Sequence, residues 1–367
     1  MLIAWIVGSS LITLLYVLLQ WLYRASWDNI KEVQNSGNSS QFITVLIPAR
    51  NEAANIAACI AGLVAQKYPT ENFEILLIDD HSIDGTKEFA LQMGISNLRV
   101  LSNPNEAGKK SSLKFGFQEA KGDWVLCTDA DCFYGPQWLS SMANAGSGDS
   151  VHAVVGPIRI AEANSSFSYF QSLDIAGMSM ITAAAINNDW FRMANGANLG
   201  IRKETFFAIG GYDDIDGTAS GDDVLLVQKI EAAIPGSVIY LKDPEAIVAT
   251  HAVDNWTSFL KQRIRWGSKY NHYLEQKTTI FLAIPFLLHW ILLVEALSLF
   301  YMPQLVLHFL VMLGLKLWID RKFLLTGLRF FNIADKPTWY LSSIWYQYWY
   351  ILVAGTASAL KLKVNWK

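Results

Sequence analysis

The chain of 367 residues is 52% hydrophobic and 17% charged, with a net charge of −3. An average soluble domain carries roughly 25% charged residues, so part of this chain is expected to meet lipid. The charge balance gives no electrostatic footprint for nucleic acid, and the length suits one catalytic domain with added elements. The apolar residues are unevenly spread. Residues 1–23 contain no charged side chain and 278–318 contain only Glu295 and Lys316, whereas 24–277 has the charge density of a soluble domain.

Residues 1–23 are long enough to cross a hydrocarbon core of about 30 Å. They lack the basic start and small-residue cleavage site of a signal peptide, so a retained anchor is expected. Arg24 and Lys31 follow it, which predicts a cytoplasmic central domain by the positive-inside rule. Residues 24–41 read as a linker, with Ser, Asn and Gly concentrated in 34–41. Then comes a strand over 42–47 stopped by Pro48, and a helix over 51–66 with Ile56, Ile60, Leu63 and Val64 on one side. A strand over 73–78 ends in Asp79 and Asp80. A helix over 86–93, a strand over 98–101, a helix over 111–120 and a strand over 124–128 follow, the last ending at Asp129. The central domain is expected over 42–277. The C-terminal membrane region, 278–367, offers candidate helices at 280–300, 303–319 and 339–360.

Strands alternating with helices predict an α/β, mainly parallel sheet covered on both faces. Ligands bind such sheets beyond the carboxyl ends of the strands, where Arg50, Asn51, Glu52, Asp79, Asp80, Asp129 and Asp131 stand. No G-x-G-x-x-G follows the first strand, which argues against an ordinary dinucleotide site. Cys59, Cys127 and Cys132 lack zinc-ligand spacing and read as reduced, buried thiols.

Asp129-Ala130-Asp131 follows an apolar run, and two carboxylates around one residue can grip a hard divalent cation with diphosphate oxygens completing its shell. A simple turn uses the same residues. Asp79 and Asp80 suit a base or ribose, while Ser82 or Asp84 suits capping of the next helix. Gly108-Lys109 opens a helix where backbone N–H groups and an ammonium suit a phosphate, though a solvated lysine pair is also compatible. Gly221-Asp222-Asp223 precedes the apolar run 224–227; it offers either a general base or acids at a helix N-terminus. On a helix, Gln262, Arg265 and Trp266 share one face, fit either for a leaving diphosphate and a sugar or for the membrane interface.

Taken in order, Ile47-Pro48-Ala49-Arg50-Asn51-Glu52, Asp79-Asp80-His81-Ser82, Gly108-Lys109, Asp129-Ala130-Asp131, Gly210-Gly211-Tyr212-Asp213, Gly221-Asp222-Asp223 and Gln262 to Trp266 resemble the family 2 inverting glycosyltransferases. The likeness is to their membrane-bound branch with a Q-x-x-R-W signature, and it covers about residues 42–270. The resemblance implies a GT-A fold, a nucleotide-diphospho-sugar transferase domain of Rossmann-like type, flanked by transmembrane helices. It implies that Pro48, Glu52 and Asp80 hold the nucleotide, usually uridine, with Asp79 beside it and Lys109 near the donor. Asp129 and Asp131 would bind Mg²⁺ or Mn²⁺, with Asp129 also on the donor side. Asp223 would be the base, next to Asp222, while Asn195, Gly196, Asn198, Gln262, Arg265 and Trp266 would line the acceptor and diphosphate end. His251 would be an optional metal contact.

Two departures stand out. Asp222 replaces the family's usual Glu before the base, and the C-terminal region is short of helices for a polymer channel. The implied reaction is inverting transfer from a UDP-linked or similar sugar to a membrane lipid or lipid-linked acceptor, at the cell membrane. A processive polysaccharide synthase of the same family and a catalytically silent nucleotide-binding scaffold are the alternatives. Three C-terminal crossings would leave Lys361, Lys363 and Lys367 outside, against the positive-inside rule. The aromatic stretch 339–350 is therefore expected to be interfacial or re-entrant.

Overall fold

The apolar run Ile43–Ala49 forms an interior strand of a sheet, and its neighbours are equally apolar because both faces are covered. The computed structural model describes residues 1–32, 41–215, 222–268 and 273–360. Most of the linker stretch 34–41, Gly221, the side chain of Asp222 and the C-terminal lysines lie outside the described residues. In chain order the elements are α1 (Leu2–Asn29), β1 (Ile43–Ala49), α2 (Ile56–Val64), β2 (Phe73–Asp79), α3 (Thr86–Gln92), β3 (Leu98–Ser102), α4 (Lys109–Glu119), β4 (Trp124–Cys127), β5 (Phe133–Tyr134) and α5 (Trp138–Gly146). They continue as β6 (Ala153–Val155), β7 (Ile158–Ile160), α6 (Ser166–Asn187), β8 (Leu199–Arg202), α7 (Lys203–Ala208), α8 (Asp222–Ala233), β9 (Val238–Tyr240), β10 (Val248–Thr250), α9 (Trp256–Gly267), α10 (Gln276–Ser298), α11 (Val306–Leu328) and α12 (Pro337–Ala359).

Two compact units result. The sheet unit comprises residues 31–161 and 192–251, and the helical unit comprises 1–30, 162–191 and 252–367. The sequence boundary at 277 falls elsewhere: the structure groups 162–191 and 252–277 with the apolar helices. Among the described residues, neither segment carries a strand that would tie it into a sheet.

The sheet unit has seven strands in the order β3-β2-β1-β4-β8-β6-β9 and a smaller sheet in the order β5-β10-β7. β1 pairs in parallel with both β2 and β4, so the strand order reverses beside β1. That reversal opens a crevice at the carboxyl ends, where α/β sheets bind ligands. The far side is mixed, because β8 runs antiparallel to β4 and β6. Val45, Leu46, Ile47 and Ile75 to Ile78 are fully buried, each such aliphatic side chain contributing about 1.5–3 kcal/mol by leaving water. The buried Glu74 is satisfied by Thr44 Oγ1 (2.8 Å), Arg99 Nη1 (2.9 Å) and the N–H of Lys121 (2.7 Å).

The strand expected to stop before Pro48 runs through it to Ala49. The ladder to β4 has ended at Leu46, and Ala49 O accepts from Asp80 N on the β2 side (2.8 Å). The missing proline N–H therefore has no partner to disappoint. The helix expected from residue 51 starts at Ile56, because Asn51 takes φ 57° in a turn.

In the helical unit, α1 extends to Asn29, six residues past the expected anchor end. Helices α1 and α11 run parallel. Ser10 meets His308 (3.0 Å), Tyr16 Oη donates to Asp320 (2.5 Å), Arg24 Nε donates to Thr326 Oγ1 (3.1 Å), and Trp27 stacks on Phe331. Lys316 Nζ also binds Asp320 (2.6 Å), so the polar groups among these apolar helices are paired with one another. Three helices, Leu2–Asn29, Gln276–Ser298 and Pro303–Leu328, are long and apolar enough to cross a membrane. The third C-terminal candidate, 339–360, does form a helix, but Ser, Gln, Trp and Tyr leave α12 outside that group.

Candidate active site

The turn after β1 is built by stitching it to the turn after β2. Asn51 N donates to Ser82 Oγ (3.0 Å) and Asn51 Oδ1 accepts from Ile83 N (3.0 Å). Glu52 N donates to Thr86 Oγ1 (2.8 Å). Asp84 accepts from Ala53 N (3.0 Å) and from the N–H of Thr86 (3.1 Å) at the start of α3, so it is structural.

Asp80, at the carboxyl end of β2, sits in a cradle of donors: Asn103 Nδ2 (2.9 Å) and the N–H of Gly108 (2.9 Å to Oδ2). Burial opposes its ionisation. The hydrogen bonds from Asn103, Gly108, Ser112 and His81 outweigh burial and lower its pKa below the usual carboxylate range. Gly108 caps α4 at φ 154°, a conformation side chains rarely adopt. Asp79 is buried, and its Oδ1 has no hydrogen-bond partner among the described residues. Pro48 is half-buried in β1.

Lys109, the first residue of α4, reaches across to Asp129 Oδ1 at 2.5 Å. The Asp129–Asp131 turn follows β4 and rests on a buried floor. Cys59 Sγ and the N–H of Cys132 approach Asp129 O (3.8 and 3.2 Å), and Tyr134 Oη meets Thr128 Oγ1 (2.9 Å). All three cysteines are buried and unpaired with one another; burial pushes the Cys59 thiol up to about 12. Asp131 Oδ2 accepts from Thr250 Oγ1 (3.3 Å). Burial and the charge of Asp129 raise the Asp131 pKa. Glu52 is raised as well, by burial first and then by Asp131, Asp129 and Asp84 against one bond from Asn55. Acidic groups crowded at a strand end are therefore short of positive charge beyond Lys109.

That deficit tests the fit of a divalent cation. Among the described residues, no group of three or more His, Cys, Asp or Glu side chains is arranged to hold a metal. Mg²⁺-type ions are held by one or two carboxylates, with phosphates and water completing the shell. Asp129 and Asp131 match that donor set. His251 follows β10, is exposed, and lies edge-on to Phe133 with ring centroids 4.9 Å apart.

Asp223, in the first turn of α8, accepts from Gly196 N (3.0 Å) and Val224 N (2.8 Å). A β-carbon built on Gly196 would fall 3.6 Å from Lys109 Nζ and 3.8 Å from Asp223 Cβ. Lys109, Asp129, Gly196 and Asp223 therefore converge on one small space. α8 is pinned by a buried ion pair between Arg192 and Glu231 (2.5 Å), and Gln228 donates to Arg192 O (3.0 Å).

Two acceptor-side expectations change. Asn198 is fully buried, with its amide spent on Pro157 O (2.8 Å) and Ala246 O (2.9 Å) and its oxygen on Trp138 Nε1 (3.0 Å). It holds the scaffold and does not face a ligand. Asn195 Oδ1 accepts from Ala197 N (3.0 Å) and shapes the turn that presents Gly196. Gln262, Arg265 and Trp266 lie on α9, within the helical unit, half-buried and on one face as the spacing predicts. Sequence reasoning passed over Asn103, although it follows β3 where the strand-end rule points, and over Arg192, Glu231 and Thr250, which carry no local signature.

Residues 44–207 match the family model described as glycosyl transferase family 2. The motifs at 210–213, 221–223 and 262–266 lie beyond the matched residues. The chain is 27% identical over 228 residues to glycosyltransferase AglE of Haloferax volcanii, covering 62% of this chain and 72% of that protein. It is 27% identical over 266 residues to a probable glycosyltransferase, YdaM, of Bacillus subtilis, covering 66% of this chain and 57% of that one. A 103-residue stretch is 36% identical to dolichol-phosphate mannosyltransferase of Saccharomyces cerevisiae, 27% of this chain and 39% of that protein. Its structure resembles that of a mannosyltransferase of Pyrobaculum calidifontis in complex with GDP-Man and Mn²⁺, with TM-score 0.61 and 17% identity over 98% of both chains. At that identity the likeness is one of fold.

Proposed function

The chain is a glycosyltransferase carrying a family 2 domain of GT-A fold, and from this we propose that it transfers a sugar from a nucleoside diphosphate sugar to a lipid phosphate, inverting the anomeric centre. The observation that carries the proposal is the convergence of Lys109, Asp129, Gly196 and Asp223 on one space. The donor is UDP-linked by family resemblance, and GDP-mannose, bound in the Pyrobaculum structure, is the first alternative to test. The acceptor class is supported by similarity to dolichol-phosphate mannosyltransferase and to undecaprenyl-phosphate 4-deoxy-4-formamido-L-arabinose transferase of Aeromonas hydrophila, 33% identical over 124 residues.

In this reading Asp79, Asp80 and Glu52 face the nucleoside, with Pro48 as an apolar edge. Lys109 supplies a positive charge at the diphosphate, released from Asp129 when donor binds. Asp129 and Asp131 would hold a divalent cation, Mg²⁺ or Mn²⁺, which when bound would supply Lewis-acid stabilisation of the leaving diphosphate. Asp223, oriented by two backbone N–H groups, takes the proton of the attacking acceptor oxygen where the acceptor is a hydroxyl. For a phosphate acceptor it accepts from the P–OH of the monoprotonated phosphate and takes that proton as the oxygen attacks. Asp222 shares the helix N-terminus; for Gln262, Arg265 and Trp266 the family resemblance implies a role toward the diphosphate and acceptor.

The parallel run of α1 and α11 supports a cytoplasmic active domain. Arg24, Lys31, Arg321, Lys322, Arg329 and Lys336 gather where both helices end, whereas the opposite connection, residues 299–305, carries no charge. Basic residues favour the cytoplasmic side. The experiment is a screen of UDP- and GDP-sugars against polyprenyl phosphates, read by mass spectrometry. One added sugar per lipid phosphate is the expected product. A ladder of masses would make the enzyme a processive synthase, and transfer only to a soluble acceptor would overturn the lipid reading.

A further inference from the structure

Within the segment Gln262 to Trp266, the most deeply buried residue is Arg263, one of the two the signature leaves unspecified. Its side chain is 5% exposed and pairs at 2.5 Å with Asp174 of α6, itself 7% exposed. Tyr350 of α12 donates its hydroxyl to the other oxygen of Asp174 (2.8 Å). The guanidinium lies over two rings of its own helix, Phe259 at 4.6 Å and Trp266 at 4.3 Å. α9 also lies tight against α12, since a β-carbon on Gly267 would clash with Ser358 Oγ.

A buried ion pair is poor evidence of stability, because desolvation consumes most of its Coulombic gain. Its well-attested use is to fix one register among several apolar packings. Three helices meet at this pair, and α9 would otherwise dock through the interchangeable aromatic surfaces of Phe259, Phe170 and Trp256. The stacking also ties the pair to the signature itself, since one face of the Trp266 indole is occupied by Arg263.

We infer that Arg263, Asp174 and Tyr350 form a positioning device that fixes the plane of the Trp266 ring. They thereby set how Trp266 is presented on the face it shares with Gln262 and Arg265. This rests on the reading above that this face lines the diphosphate and acceptor end. Arg263 touches no substrate and acts through Trp266. Lysine at 263 would keep the charge but lose the flat cation that stacks between two rings.

The test is a double-mutant cycle on the full chain in lipid, with turnover, donor KM and thermal unfolding measured for Arg263→Lys, Trp266→Ala and the pair. Misplacement by about 1 Å can cost about 100-fold in rate, so Arg263→Lys is expected to lower turnover by about 10–100-fold with donor KM within about twofold of wild type. In the Trp266→Ala background the same change should cost less than about twofold, because the ring it positions is gone. Equal losses in both backgrounds would overturn the inference and leave the acceptor-side reading intact. Unchanged turnover in Trp266→Ala alone would overturn that reading and the inference with it. Should Arg263→Lys not fold, Tyr350→Phe replaces it in the cycle; it removes one hydrogen bond and should cost about fivefold, again only when Trp266 is present.

Discussion

Replacing Asp223 with Asn separates proton acceptance from shape. The side chain keeps its size but loses its basicity, and removing a general base typically costs about 10²–10⁴-fold, or roughly 3–5 kcal/mol on the barrier. The structure sets the accompanying stability cost. Two N–H groups, of Gly196 and Val224, converge on the two carboxylate oxygens at 3.0 and 2.8 Å. An amide offers one acceptor oxygen, so its NH₂ must face one of these donors. Such a loss costs about 1–3 kcal/mol when buried, and Asp223 is only half-buried, which puts the figure near 1 kcal/mol. Single-turnover transfer to an alcohol or phosphate acceptor, measured beside donor binding, should show turnover collapsing with donor affinity little changed. Asp222→Asn should cost at most about 1 kcal/mol of helix stabilisation and leave turnover largely intact. Turnover of Asp223→Asn within about threefold of wild type would refute the assignment, as would collapse of Asp222→Asn in its place.

Gly196→Ala meets only ordinary van der Waals neighbours at 3.6–3.9 Å, so unfolding should be unaffected while turnover falls at least about tenfold, since the methyl fills the space where Lys109 and Asp223 converge; normal turnover would mean that space is not the reaction site. Asn198→Ala strands Trp138 Nε1 and two carbonyls in the core and should destabilise by at least about 3 kcal/mol, read by chemical denaturation. For pH, Asp131 and Glu52 have raised pKa values. The folded protein thus keeps their protons after the unfolded chain has shed them, and their contribution to stability declines as pH rises through their folded pKa. Asp80, with a lowered pKa, has the opposite sign: its contribution is present above the unfolded carboxylate pKa and is lost as pH falls through the folded one. In excess chelator, turnover should cease, and Mg²⁺ or Mn²⁺ should restore it while raising thermal stability more at pH 7 than at pH 5. Full activity in chelator, or equal stabilisation at both pH values, would remove the cation from Asp129 and Asp131.

Much of the parallel half of the sheet was legible because each strand there is a short apolar run ended by a polar group. The D-x-D turn and the paired aspartates that close β2 sit at such ends, and local spacing finds them as it finds the helix opening at Lys109. The reading failed where a residue's role depends on partners far along the chain. Asn198 lies three residues from Asn195 in one polar turn, yet its amide is consumed by Pro157 and Ala246. Pro48 looks like a strand stop until the pairing to β4 is known to have ended already. The mixed far edge of the sheet went unread because β6, β8 and β9 span only three or four residues each, too short for periodicity to declare itself.

The sequence by itself determined the apolar segments, the strand-end carboxylates and the order of motifs that resembles family 2 glycosyltransferases, because hydrophobic runs and turn residues act locally. Only the tertiary structure decided that Lys109 is paired with Asp129 and that Gly196 lies between Lys109 and Asp223. It also decided that Arg263 is buried while Gln262, Arg265 and Trp266 remain half-exposed. A side chain's availability is set by what the rest of the chain packs against it, and those contacts join residues tens to hundreds of positions apart.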